Sequence, residues 1–169
     1  MKSPYRIALV LGLLAVATVS FAARDILNPQ FTPEKGSFDK PAAKMGNKDE
    51  VWSTTTMAAG VNGKPLEGKS VTLVGEIVDY SCYLQLGKHG GKHRDCGQKC
   101  LRNGQPIGLL TKEGKLYLLM EEEHDPRRDG LTTFRQSAIE NMAYVLEVTG
   151  TQTEVDGQRA VYVQGFVKK

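Results

Sequence analysis

Between Ser70 and Tyr80 the stretch SVTLVGEIVDY places Val71, Leu73, Gly75 and Ile77 at period two, among β-branched residues that favour extended backbone. A strand is expected there, with Gly75 at a bend or bulge of a coiled sheet. Pro106 opens a second apolar stretch, IGLLTKEGKLYLLM, which reads as a hairpin with Lys112, Glu113 and Gly114 at its turn. The helical period returns in TTFRQSAIENMAY, where Phe134, Ala138 and Ile139 share a core-facing side and Thr133 with Gln136 fits a capping box. YVLEVTGTQTEVDGQRAVYVQGFV then predicts two strands around Asp156-Gly157. The order is strand, insert, strand, strand, helix, strand, strand.

Five strands with the helix between the third and fourth is the order of an OB-fold barrel. The expected fold is therefore mostly β: a small five-stranded OB-fold-like barrel over residues 69–169, with a Cys/His helical insert between strands 1 and 2. Closure also removes the exposed edges that a small open sheet would carry. Before Lys69 the pattern fails. Residues 23–68 lack apolar periodicity and are broken by Pro29, Pro33 and Pro41, so they bury too little apolar surface to offset their entropy. A flexible or extended tether is expected, with Trp52 in DEVWSTTTM as a packing anchor on the domain.

The first 22 residues have the pattern of an export signal. Lys2 and Arg6 precede an uncharged apolar run from Ile7 to Val19, and Ser20-Phe21-Ala22 sets small residues before a cut after Ala22. That run is shorter than the roughly 20 residues of a spanning helix, so the mature chain is expected in the periplasm or secreted, with no transmembrane span. The formal net charge of the 169-residue chain is +3 and falls once Lys2 and Arg6 are removed. Nucleic-acid binding needs a concentrated basic surface, and this balance gives no case for it. The partner, a protein or a small molecule, is left open.

The chemistry is concentrated in CYLQLGKHGGKHRDCGQKC, which holds all three cysteines and two of the three histidines. His93, Cys96 and Cys100 are spaced as HxxCxxxC; on a helix these lie within about 60° of one another at roughly 100° per residue. Cys82 stands at the end of the first strand, and Gly87, Gly90 and Gly91 allow the chain to fold back toward the same face. Cys82, His93, Cys96 and Cys100 would make a complete tetrahedral set, zinc first, with copper or iron as alternatives. No CxxCH haem c motif is present. In an oxidising compartment the other reading is a disulfide from Cys82 to Cys96 or Cys100, leaving one free thiol. A reactive cysteine near His93 and Lys99 is a third reading. His89 reads as a solvated loop residue. His124 and the run Glu121–Glu123 with Asp125 read as a polar loop able at most to hold a hard cation weakly. Asp79 is placed to orient His93 from outside the ligand set.

The motifs VTLVGEIVD and LEVTGTQTEVDGQRAVYV resemble bacterial exported OB-fold proteins over about Lys69 to Val167. The pattern VDYSCYL, HRDCGQKC and GQPIGLL is similar to a group of uncharacterised bacterial exported proteins with the same cysteine-containing insert. That resemblance implies fold and location. No catalytic triad, phosphate loop or paired carboxylates emerge, so the expected function is an exported metal-binding accessory module, structural or electron-transferring. The alternatives are a disulfide-stapled OB barrel that binds an oligosaccharide or protein, and a thiol or metal-dependent oxidoreductase.

Overall fold

A computed structural model describes residues 31–46, 52, 54–120 and 131–163. The export signal, the tether before residue 31, and Glu121–Glu123 with His124 and Asp125 lie outside them. The elements are β1 (Ala43–Met45), α1 (Thr54–Ala59), β2 (Lys69–Asp79), α2 (Tyr80–Leu86), a 3-10 turn (Gly91–His93), α3 (Arg94–Arg102), β3 (Ile107–Thr111), β4 (Leu116–Met120), α4 (Thr133–Glu140), β5 (Val145–Val155) and β6 (Gln158–Val163).

The architecture is mostly β, a closed five-stranded mixed barrel with one added strand. Strands β5, β2, β3, β4 and β6 are hydrogen-bonded in that order, and β5 pairs with β6 to close the ring. The β4–β6 pair is parallel and the other ring pairs are antiparallel. Turn residues make this possible at two hairpins: Gly114 has φ 76° between β3 and β4, while Asp156 and Gly157 have φ 50° and 80° between β5 and β6. The register runs through Gly75 without an inserted residue. No bulge is needed; a Cβ there would lie 2.7 Å from the Leu109 Cγ, so the glycine allows β2 and β3 to approach.

The core fills the barrel with Ile77, Leu109, Leu119, Leu146, Val148 and Val161, all nearly or wholly buried. Phe134, Ala138 and Ile139 of α4 join it, as their spacing implied. The helix begins differently from the expected capping box. Thr132, not Thr133, is the N-cap and accepts from Arg135 N at 3.2 Å, while Gln136 Nε2 donates forward to Glu140 Oε1 at 2.8 Å. A cap one residue earlier adds a turn's start without moving the buried face.

Part of the segment expected as a tether is built into the sheet. Ala43–Met45 runs parallel to β5 in register with Leu146–Val148, and Met45 is 1% exposed. Three residues are too few to show a period, so only a partner strand reveals them as β. Trp52 does anchor on the domain, its ring 5.4 Å from that of Tyr162. Among the described residues no helix is long and apolar enough to cross a membrane.

Candidate metal centre

The segment from Tyr80 to Gln105 folds over the end of the barrel where β2 finishes and β3 begins. Helix α3 is held there from one side. Gln98 Nε2 donates to Ile139 O at 2.8 Å, Arg94 Nη2 donates to Glu140 O at 2.8 Å and Nη1 to Met142 O, and the guanidinium lies 4.2 Å over the Tyr144 ring. Arg135 Nη1 donates to the carbonyls of Leu101 and Gln105 near the helix end, adding to the bond that Leu101 O accepts from Gly104 N. Gly97 is buried; a Cβ there would meet the Met142 side chain at 2.2 Å. The opposite side of α3 therefore faces α2 and the end of β2.

Cys82 is not at the strand end. It lies in the first turn of α2, whose N-cap is Asp79: Oδ1 accepts from Cys82 N at 3.0 Å, closing an Asx-type cap. The same carboxylate faces the two helices. One donor atom each from Asp79, Cys82 and Cys100 all lie within 4.8 Å of one another. Asp79 is 1% exposed, and its Oδ2 has no hydrogen-bond partner. His93, at the end of the 3-10 turn, is 6% exposed, and its Nε2 is likewise buried and unpartnered. These are the two buried side-chain polar atoms without a partner among the described residues.

Of the four ligands expected from the sequence, the fold thus brings Cys82 and Cys100 together and buries His93. Cys96 is exposed, and neither it nor His93 belongs to the close group. All three cysteines are free thiols, with no disulfide formed among them. Asp79, expected only to orient His93, is instead the carboxylate nearest both thiols.

Electrostatics follow from this packing. Burial raises the Cys82 thiol, and the Asp79 charge and its hydrogen bonding push it in the same direction. Burial and Asp79 likewise push Cys100 up to about 11 from an ordinary 9.0. Burial holds His93 below its usual value, opposed in part by the negative charge of Asp79. In the metal-free protein both thiols are therefore protonated and the imidazole neutral at pH 7. Exposed Cys96 should be alkylated first at neutral pH, with Cys82 and Cys100 slower by about tenfold or more, as site-resolved mass spectrometry would read. Equal rates at all three would contradict the geometry. The folded thiol of Cys100 binds its proton more tightly than the unfolded one. The resulting stabilisation is complete below pH 9.0 and is lost as pH rises through about 11.

His89 is not a solvated loop residue. Its Nδ1 lies 3.0 Å from Glu76 Oε2, and Gly90 N donates to Glu76 Oε1 at 2.6 Å. Glu76 is 1% exposed on the outer side of β2, and the loop satisfies it from above. The His89 ring is 5.0 Å from that of Phe31 and 5.7 Å from that of Tyr83. Gly91 N donates to Thr32 O at 2.7 Å, so the residues before β1 also tie the loop down. These contacts fix the turn that carries His93. The signal for the Glu76–His89 clamp is absent from local sequence, since a glutamate on a strand's outer side ordinarily faces water. Asp79 had a readable signal, a carboxylate three residues before Cys82 at a strand-to-helix junction.

Comparison with family models, with curated proteins and with solved structures finds no match to the chain.

Proposed function

We propose that this chain is an exported accessory protein with an OB-fold-like barrel whose first inter-strand insert holds a transition metal. The ion, zinc first and copper or iron as alternatives, is bound by Asp79, Cys82, His93 and Cys100. The observation that carries the reading is a buried, orphaned carboxylate oxygen, Asp79 Oδ2, in a close group with two thiols, with a second orphaned atom, His93 Nε2, buried in the same insert. Each such group costs about 1–3 kcal/mol when left unpaired, and one cation would satisfy both. Two thiolates, an imidazole and a carboxylate make a four-donor N/S/O set suited to tetrahedral zinc. Thiolate-rich donors also suit Cu(I) and iron.

The OB-fold reading is supported by the parallel β4–β6 pair that completes the ring and by α4 falling between β4 and β5 in chain order. The first inter-strand connection is a position where such barrels bind ligands. Export rests on the leader pattern at 1–22. An ion at this place would tie α2 to α3 and stabilise a segment containing Gly87, Gly90 and Gly91.

One observation favours a second reading. The Cys82 and Cys100 sulfurs lie within 4.8 Å, so oxidation would make the insert a disulfide staple with Cys96 as the leftover thiol. Elemental analysis and thiol counting on protein purified without added metal separate the two. About one equivalent of metal, with three free thiols after its removal, is the expected result. Less than about a tenth of an equivalent together with a Cys82–Cys100 bridge would overturn the metal reading in favour of the staple.

A further inference from the structure

We infer that Cys96 is not a resident ligand of this centre but its exchange ligand, the thiol through which the ion enters and leaves. The inference rests on the metal reading above. Accessibility is graded across the insert: Asp79 and His93 are buried, Cys82 and Cys100 half-buried, and Cys96 exposed. Four donors already complete a tetrahedral shell without Cys96. Yet Cys96 precedes Cys100 by one turn of α3, on the same side and about 6 Å along the axis. The opposite side of α3 is pinned by Arg94, Gln98 and the buried Gly97, so the helix cannot turn to draw Cys96 inward. An exposed thiol is thereby held at the mouth of the site, one step from a resident one.

The surroundings suit that role. Residues 80–106 carry five Lys and Arg against one Asp, a local balance of +4 in a chain whose total is +3. Lys92 and Lys99 flank Cys96 in sequence, are exposed, and make no ion pair among the described residues. They favour the approach of incoming anionic donors. In the exchange step Cys96 Sγ takes a bond to the ion and loses its proton to solvent. Asp79 Oδ2 gives up its bond and keeps its negative charge. Cys82, His93 and Cys100 then yield in turn to the incoming donors and Cys96 last, each released thiolate taking a proton from solvent and His93 leaving as the neutral imidazole. No electron changes hands, and uptake is the reverse.

Zinc uptake and release by the full chain, followed by stopped flow against a chromogenic chelator, tests this with Cys96→Ser and Cys96→Ala. Kd is the ratio of the two rates, so slowing both equally leaves it in place. Both rates are expected to fall about tenfold or more while Kd moves less than about threefold. A tenfold weaker Kd with faster release would make Cys96 a resident ligand and overturn the inference. Unchanged rates would overturn it as well. A wild-type chain that binds no zinc overturns the metal reading and this inference together, an outcome distinct from the other two.

Discussion

Replacing Gly150 with valine is expected to lower stability by about 3 kcal/mol or more and to reduce the melting temperature by about 6 °C or more. At Gly150 strand β5 passes from one neighbour to another: the residue is in register with Val71 of β2 on one edge and Val163 of β6 on the other. A Cβ would lie 2.2 Å from the carbonyl oxygen of Tyr162 and 3.0 Å from its carbonyl carbon. The obstacle is backbone, not the end of a flexible side chain, so the valine can be accommodated only by prising β6 from β5. That pairing closes the barrel, and the buried Val161 and Val163 go with it. Gly150→Ala should also destabilise, because the obstructed atom is the Cβ itself, and it is spared only the two further carbons of valine. Thermal unfolding of both variants within about 1 °C of wild type would show that the ring does not close at this point.

The Asp79→Asn variant should lose zinc affinity by about 100-fold while leaving the metal-free fold intact. Asparagine is a good N-cap, and its carbonyl can still accept from Cys82 N. What disappears is the negative charge beside the two thiols. That charge opposes thiolate formation at Cys82 and Cys100, so both thiols should titrate lower and be alkylated faster in the metal-free variant. Weaker metal binding accompanied by greater thiol reactivity is a signature that mere loss of structure would not give in this combination, since a melted insert would also expose Cys96 and Met142 further. Competition titration and site-resolved alkylation on the same sample check both halves. Unchanged affinity in Asp79→Asn would remove Asp79 from the ligand set.

How much of this was legible depended on whether the signal was local. The period of Val71, Leu73 and Ile77 and the apolar stretches around Gly114 and Asp156-Gly157 mark strands and turns because each face repeats within a few residues. The α4 face was equally plain, though its cap lay one residue earlier than Thr133. Both thiols of the close group, Cys82 and Cys100, were legible as candidates from their chemistry and from the glycines between them. Cys96 was placed with them because helix phase alone cannot distinguish an inward turn from an outward one. Glu76 and β1 were illegible for the same physical reason. Each is buried by residues distant in sequence, the loop at His89–Gly90 and the edge of β5, and burial by a remote segment leaves no local period.

On the metal reading, Asp79, Cys82, His93 and Cys100 converge on one ion. Anomalous X-ray diffraction from crystals grown with zinc tests it most directly. The predicted result is a single strong peak about 2.0–2.3 Å from Asp79 Oδ2, Cys82 Sγ, Cys100 Sγ and His93 Nε2, with Cys96 outside that distance. A Cys82–Cys100 disulfide with no peak beside it, or a peak on other residues, would contradict this convergence.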